Sequence, residues 1–493
     1  MVDVILVQPK IGIYDIANTR LPLGPLTLAA PLKKEGYNVK IIDQRTHQDW
    51  RKKILNELKK DPILIGITSM TGAQIGYSLE ISRFIKSVDK ELKIVWGGVH
   101  ASLLPYQTIK NPCIDIVVVG EGDVTLVELV KAIEKKKNLK NVKGIIFKED
   151  KKVITTSPRD FVDLNKLPDL PYELVELKRY SELSFDNIKD RSMPLVTSRG
   201  CPFRCNFCYN ARFNQFKWRA LSAEKSIERL KRLIDEFKIK NVYFPEDNIC
   251  ADLKRFKNMV NMIIKEKMDI SWGTQGVRMD SLGRMDESFL SNLIRSGCKN
   301  VDIGIESGSD RILKLMDKGE TVKQMLDINR KISRFPFIVK YNFILGFPTE
   351  TKEDFKKSVD MALQLIKENK KGYILFHTYT PFPGTKMYDL SLECGFKSPQ
   401  TLEEWAKFDY IDWASNYPSW HTKEKIKMMN NLSFLSRLIN KNMRYKLTNR
   451  FTRMLFDIYN PIARFRFDNN FYFMFIEKGI FKITKPFLID RLG

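Results

Sequence analysis

Cysteine and histidine are scarce here: 7 Cys and 4 His in 493 residues. Three of the cysteines crowd between Cys201 and Cys208 and the others stand singly, which excludes the disulfide framework of a small secreted domain. A reducing, cytoplasmic compartment is the expectation. Long hydrophobic runs are also lacking, none reaching the roughly 18 residues of a spanning helix. Met1 leads straight into the strand-like run Val2-Asp3-Val4-Ile5-Leu6-Val7, without the charged, apolar and small-residue zones of a secretory leader. Low-complexity tracts and solenoid repeats are missing as well. Acidic residues are outnumbered, 59 Asp+Glu against 83 Lys+Arg, for a net charge of +24. With 43% hydrophobic and 29% charged residues the chain is globular rather than disordered. Its length suits two to four domains at roughly 100–200 residues each. The positive excess suits an anionic partner, and nucleic acid, phospholipid or phosphorylated substrate would serve equally. Residues 421–493 hold 15 Lys+Arg and 5 Asp+Glu, so +10 of the excess lies in the last 73 residues.

What is present is a βα rhythm. Val2–Gln8, Asn38–Asp43, Ile63–Ser69, Lys93–Gly98 and Ile114–Gly120 read as strands separated by helix-length segments. Such alternation predicts a doubly wound parallel sheet over residues 1–140, with ligands beyond the carboxyl ends of its strands. Those ends carry Gly97, Gly98, Gly120 and Glu121. They read either as ordinary strand-to-helix turns or, taken together, as one ligand edge. Residues 141–190 read as a hairpin (Gly144–Phe147, then Val153–Ile154) and a proline-punctuated linker. From 191 to 395 a second series follows, near Leu195–Ser198, Asn241–Pro245, Ile270–Gly273, Asn300–Ile305, Val339–Leu345 and Ile374–Tyr379. Six units predict a full or partial parallel barrel, with its chemistry at the carboxyl ends of the strands. Residues 396–493 read as a basic, aromatic-rich helical region.

The chemistry lies directly after the first strand of the second series: Ser198-Arg199-Gly200-Cys201-Pro202-Phe203-Arg204-Cys205-Asn206-Phe207-Cys208-Tyr209. A C-x3-C-x2-C loop can hold three metal corners of a cluster and leave the fourth open for chemistry. A structural zinc site would need a fourth ligand in a second short pair, and His377 and His421 are isolated. Three unligated thiols are the remaining alternative.

This loop resembles that of the radical S-adenosylmethionine superfamily, in which the three cysteines, here Cys201, Cys205 and Cys208, bind a 4Fe-4S cluster and S-adenosylmethionine chelates the open iron. The resemblance implies reductive cleavage to a 5′-deoxyadenosyl radical that takes a hydrogen from an unactivated carbon. It implies a reductant partner such as flavodoxin or ferredoxin. Further segments match the family's barrel pattern. Glu246 and Asp247 fall where relatives place groups near the methionyl amine, and Arg278 and Glu306, with Ser307 beside it, fall where relatives contact nucleoside and methionyl carboxylate. Gly346-Phe347-Pro348-Thr349-Glu350 and Thr380-Pro381-Phe382-Pro383-Gly384-Thr385 continue the series.

A doubly wound domain ahead of such a barrel is similar to the cobalamin-binding subfamily. Gly97-Gly98-Val99-His100 and Gly120-Glu121-Gly122-Asp123 look like that subfamily's turns, which implies cobalamin as a further cofactor. The Asp-x-His-x-x-Gly loop that supplies a cobalt ligand in many cobalamin domains is missing from Gln8-Pro9-Lys10-Ile11-Gly12, and His47 and His100 read as turn histidines.

Two outcomes stay open: methylation of the carbon radical, or rearrangement, ring formation or carbon–carbon coupling without cobalamin. A methylthiotransferase would need a second cluster, for which the first 190 residues offer only Cys113. A binding scaffold with a vestigial cluster loop is disfavoured by the intact Cys201, Cys205 and Cys208. In the tail, Ile426, Met429, Leu432, Leu435, Ile439 and Met443 recur at helical spacing over 424–448. Phenylalanines from Phe451 to Phe487 then interleave with Arg and Lys, which suits packing on the barrel, an anionic membrane surface or RNA. The excess of Phe over Tyr and Trp favours a lipid surface, with nucleic acid the weaker candidate; no motif names the substrate, for which a lipid or isoprenoid is the expectation.

Overall fold

The computed structural model describes residues 2–12, 15, 19–180, 192–408, 420–439, 450–469 and 471–472, without the side chains of 451 and 452. Its described residues form two units, one of 2–180 with 398–408 and one of 192–397 with 420–472.

The first unit is built on a sheet ordered β2-β1-β3-β4-β5-β6-β7. β1 (Val4–Gln8), β2 (Val39–Asp43), β3 (Leu64–Thr68), β4 (Lys93–Gly97) and β5 (Ile116–Val118) are parallel. All five residues of β1 are buried, as a central strand covered on both faces requires. The hairpin read from the sequence extends this sheet. β6 (Ile145–Glu149) pairs antiparallel with β5, and β7 (Lys152–Thr155) pairs with β6. The exposed edge of a three-residue β5 would otherwise present unpaired N–H and C=O groups. Proline-rich residues 158–180 are also tied down, since Tyr180 donates to Asp43 Oδ2 at 3.1 Å beside the buried Asp43–Arg45 pair. Residues 398–408, expected with the C-terminal region, belong to this unit. Trp405 is fully buried with its ring 5.5 Å from that of His100, and Gln107 Nε2 donates to Pro399 O at 3.1 Å.

The second unit carries six parallel strands in the order β15-β14-β13-β12-β11-β8, a partial (β/α)6 barrel. They are β8 (Ser192–Pro194), β11 (Asn241–Phe244), β12 (Ser271–Val277), β13 (Cys298–Glu306), β14 (Ile338–Leu345) and β15 (Gly372–Thr378). The first strand sits earlier than its apolar run suggested. The chain leaves the barrel after Pro194, and β9 (Ser198–Arg199) instead pairs antiparallel with β10 (Arg219–Ala220). Along β14 every second side chain is buried: Val339, Tyr341, Phe343 and Leu345. That outer face meets the helices, and Tyr341 Oη binds Asn329 and accepts from Asn369 Nδ2 at 2.9 Å.

Helix Lys352–Glu368 begins with a reciprocal cap between Thr351 and Asp354. Asp354 also accepts from Ser309 Oγ at 2.6 Å and from Arg311 Nε at 3.1 Å. The turn after β13 therefore lies flat on the helix; a Cβ on Gly308 would stand 2.3 Å from Lys357 O. Helix Lys423–Leu438 buries Met429, Leu432 and Leu435 and packs on β15, with Ser433 Oγ bonded to Phe376 O at 2.9 Å. Helix Arg450–Asp468 follows, its Phe467 ring 6.1 Å from Phe376. The expected apolar stripe thus closes on the barrel as far as Ile439, while Met443, Phe473, Phe475, Phe481 and Phe487 lie outside the described residues.

The donors around Asp354 hold its pKa below the ordinary carboxylate value despite its burial. A depressed native pKa contributes stability above the unfolded value and loses it as pH falls through the native one. Asp354→Asn is expected to cost about 1–3 kcal/mol at neutral pH, with the deficit narrowing in acid as the wild type loses the same bonds. Thermal unfolding of both proteins from neutral to acid pH checks this.

Candidate active site at the carboxyl ends of the barrel strands

The Cys loop starts at Gly200, where φ is +88° and a Cβ would lie 2.1 Å from Lys217 O, so only glycine fits. Gly200 N donates to Asp247 Oδ2 at 2.9 Å. Asn206 fastens the loop's far side. Its Nδ2 donates to Leu315 O at 3.0 Å, its N to Met316 O at 2.7 Å, and its O accepts from Met387 N at 3.0 Å. Phe207 packs on the buried cluster of Ile312, Met316, Phe347, Tyr379 and Met387. Cys201, Cys205 and Cys208 are left half-buried. Burial pushes all three thiols up, Cys208 to about 12, so a bound cation is what would hold them as thiolates.

Two donors point at sulfur: Asn248 Nδ2 lies 3.7 Å from Cys201 Sγ and Arg278 Nη1 3.9 Å from Cys205 Sγ. Three thiols with sulfur-directed donors and no fourth protein ligand fit an iron–sulfur cluster with an open corner. The zinc alternative finds no fourth ligand among the described residues. His377 Nε2 is bound to Asn342 and His421 Nε2 to Gly346 O, and among the described residues no three His, Cys, Asp or Glu side chains close on one ion.

Glu246 is buried beneath the loop. Its Oε1 accepts from Thr197 N at 2.7 Å and Thr197 Oγ1 at 2.5 Å, and its Oε2 from Ser198 Oγ. Arg255, bonded to Thr197 Oγ1 at 2.8 Å, supplies the compensating charge. Both oxygens are taken up within the chain, so Glu246 positions the strand that launches the Cys loop. Asp247 beside it is exposed and holds Gly200.

Arg278 directly follows β12 and spans several groups. Its guanidinium lies 3.8 Å from the Phe203 ring centroid, donates to Asp280 Oδ1 at 3.1 Å and Lys318 O at 2.7 Å, and pairs with Glu320 at 3.4 Å. Glu306 follows a bulge in β13 with φ +69°. Burial raises its pKa, opposed by Lys318, whose Nζ is 3.6 Å away. Lys318 is also 3.6 Å from Glu320, and Glu320 Oε1 accepts from Asp280 N at 2.7 Å. Sequence reading brought Arg278 and Glu306 here but missed Lys318 and Glu320. Their signal was the turn Asp317-Lys318-Gly319-Glu320, in which Asp317 and Gly319 both take positive φ. Ser307 is buried with its hydroxyl bonded to Ser358 and Ser309 N, so it shapes the turn.

In the first unit the glycine-rich strand ends form one edge. At Gly98, φ +93°, a Cβ would lie 2.7 Å from Ser69 O, while nothing lies within 4 Å of one at Gly120. Ser102 ties them together, donating to Gly98 O at 2.8 Å and accepting from Gly120 N at 2.9 Å. The turn at Gly120-Glu121 follows from the end of β5, as Gly97-Gly98 does from β4. Gly98 is thus packed against the turn after β3, and it is Gly120 that leaves bare backbone at the strand ends, where a large flat cofactor fits. The two histidines of this unit are each held within the chain. His100 is fully buried on Thr71 Oγ1 at 3.1 Å, with burial pulling its pKa to about 3, and His47 Nδ1 is bound to Asp43 O.

If Glu246 positions rather than binds, Glu246→Gln is expected to cost about 1–3 kcal/mol of stability and to lower iron retention, while the loaded fraction keeps its affinity for S-adenosylmethionine. Unfolding midpoints, iron analysis and calorimetric titration separate the two roles.

Comparison with known proteins bears on the family of the chain. Residues 195–362 match the radical SAM superfamily model and residues 9–130 the B12 binding domain model. An uncharacterized methyltransferase of Pyrococcus horikoshii is 32% identical over 403 residues, covering 80% of this chain and 83% of its own. An anaerobic magnesium-protoporphyrin IX monomethyl ester cyclase of Cereibacter sphaeroides is 24% identical over 396 residues, covering 78% of this chain and 63% of its own. Among solved structures, the cobalamin-dependent S-adenosylmethionine radical enzyme OxsB, with aqua-cobalamin and S-adenosylmethionine bound, has the same fold at TM-score 0.72 and 20% identity, over 94% of this chain and 72% of its own. The chain therefore belongs to the radical SAM superfamily, in the branch that carries an N-terminal B12-binding domain.

Proposed function

We propose that the protein is a cobalamin-dependent radical S-adenosylmethionine methyltransferase acting on an unactivated carbon. The observation that carries this reading is the half-buried Cys201, Cys205 and Cys208 loop with Asn248 and Arg278 directed at its sulfurs, in a chain that also has an open strand-end turn at Gly120. The methyltransferase relative, which matches across both domains, supports it. With a 4Fe-4S cluster, S-adenosylmethionine and cobalamin bound, the site would supply a 5′-deoxyadenosyl radical and a methyl group. The chain's own residues bind and orient. Arg278 and Lys318 face an anionic carboxylate, Glu306 accepts hydrogen bonds from hydroxyls, and Asp247 meets an ammonium. Gly97, Gly120 and Glu121 offer backbone to a flat ring. The electron comes from a small reductant protein of the flavodoxin or ferredoxin type.

Anaerobic reconstitution with iron, sulfide and hydroxocobalamin is expected to leave about one cobalt for every four irons. Reduction with S-adenosylmethionine should then yield both S-adenosylhomocysteine and 5′-deoxyadenosine. 5′-Deoxyadenosine alone would favour the second reading, ring closure or coupling without methyl transfer, which the cyclase relative supports. Cys205→Ala should abolish both products.

We also infer that the chain docks on an anionic membrane. No described helix is long and apolar enough to cross a membrane. Met454, Ile458, Ile462 and Phe465, 47–69% exposed, instead form one stripe along helix Arg450–Asp468, flanked by Arg450 and Arg464. An apolar face with basic flanks matches an anionic bilayer. The lipid expectation thus bears on where the protein docks, because these side chains lie on a helix outside the barrel. Phosphatidylglycerol vesicles should pellet the protein, phosphatidylcholine vesicles should not, and Ile458→Asp with Phe465→Asp should abolish pelleting.

A further inference from the structure

On the inner face of the barrel, opposite the helices, polar side chains of neighbouring strands bond in pairs. Tyr243 Oη donates to Gln275 Oε1 at 2.8 Å between β11 and β12. Lys340 Nζ on β14 lies 2.6 Å from Asp302 Oδ2 on β13, and Asn300 Nδ2 holds the other oxygen of Asp302 at 2.7 Å. His377 Nε2 on β15 is 3.2 Å from Asn342 Oδ1 on β14. Ile338, Ile344 and Leu375 share this face. Glu306, on the same face of β13, joins it to the Cys loop through Lys318 and Arg278. A barrel interior sealed for packing alone would be filled by branched apolar residues; this one places an ion pair and an imidazole on its wall.

The hydrogen bonds fix the orientation of that imidazole. Asn342 Nδ2 donates to Ile303 O at 3.1 Å, so its Oδ1 faces His377 and must be met by an N–H on Nε2. Nδ1 then carries a bare lone pair. Solvent reaches the ring, yet protein surrounds it as in a lumen open at its mouth. That enclosure, with the charges of Lys340 and Arg437, pulls its pKa to about 4 and keeps it neutral. His377 Nδ1 makes no hydrogen bond to the described residues, and Lys340, a three-proton donor, is held by one carboxylate.

We propose that this inner face is the substrate-specificity site, and that it takes a polar substrate carrying both a hydroxyl or amine donor and an oxyanion. The donor meets His377 Nδ1 and the oxyanion meets Lys340. The idea rests on the enzyme reading above and narrows its substrate class away from hydrocarbon. Asp302 and Asn342 are positioning residues, since each acts through the side chain it orients.

With only 4 His in the chain, ring-15N-histidine labelling of the reconstituted, oxidised full-length protein gives a spectrum that His377→Gln assigns. Glycerol 3-phosphate and 3-hydroxybutyrate serve as probes, one phosphate and one carboxylate, each beside a hydroxyl. At least one is expected to move the His377 Nδ1 resonance saturably, and the stronger names the oxyanion. Lys340→Met should weaken that binding about tenfold or more, the loss of one charge-assisted bond, with the His47 and His100 resonances in place as proof of folding. Three results would each overturn the proposal: no shift with either probe, an equal shift with inorganic phosphate, or a shift only with decanol. The readout is binding, so it stands even where methyl transfer fails, and labelled methyl transfer is read independently of it.

Discussion

Four charged side chains, Arg278, Glu306, Lys318 and Glu320, lie buried together at one edge of the barrel, and each is tolerable there only because it faces an opposite charge. Removing one partner from such a group leaves an uncompensated charge, which costs far more than the pairing itself yields. The network therefore has one arrangement, and it fixes what surrounds it. Through Lys318 O and Asp280 it sets Arg278, and through Arg278 it sets both the Phe203 ring and a donor at Cys205. The Cys loop is thus shaped by its own Gly200 and Asn206 together with charges contributed from the end of β12, from β13 and from the turn after Leu315.

The same logic explains the division between Glu246 and Asp247. Adjacent carboxylates at a strand end look interchangeable in a sequence. One points down among Thr197, Ser198 and Arg255, and the other remains at the surface beside Gly200. Burial decides which is structural. Ser307 next to Glu306 shows the same split, its hydroxyl facing Ser358 while Glu306 faces the lumen.

Short continuous apolar runs and glycine-ended strands made the βα architecture legible, because parallel sheets covered on both faces leave little choice of residue. The Cys loop was legible because three thiols at fixed spacing have few other uses. Lys318 and Glu320 were not, since a buried ion pair is written in the sequence as two ordinary surface residues and becomes visible only when the chain closes around them. The start of the barrel was misplaced for a related reason: Leu195 to Ser198 have the composition of a strand, but Glu246 draws Thr197 and Ser198 out of the sheet. Trp405 could not be assigned to the first unit from its neighbours, because its pocket beside His100 is made by residues some 300 positions earlier.

The strict alternation of β14 separates two kinds of information on one strand. Val339, Tyr341, Phe343 and Leu345 hold the helices, while Lys340 and Asn342 face the lumen and carry none of that packing. Replacing the inward set changes what the barrel can hold, but Lys340 and Asp302 must change together, since either alone leaves an unpaired charge. Exchange of substrate at the proposed inner-face site is therefore a matter of paired inward changes on neighbouring strands, while Tyr341 on the outward face stays locked to Asn329 and Asn369.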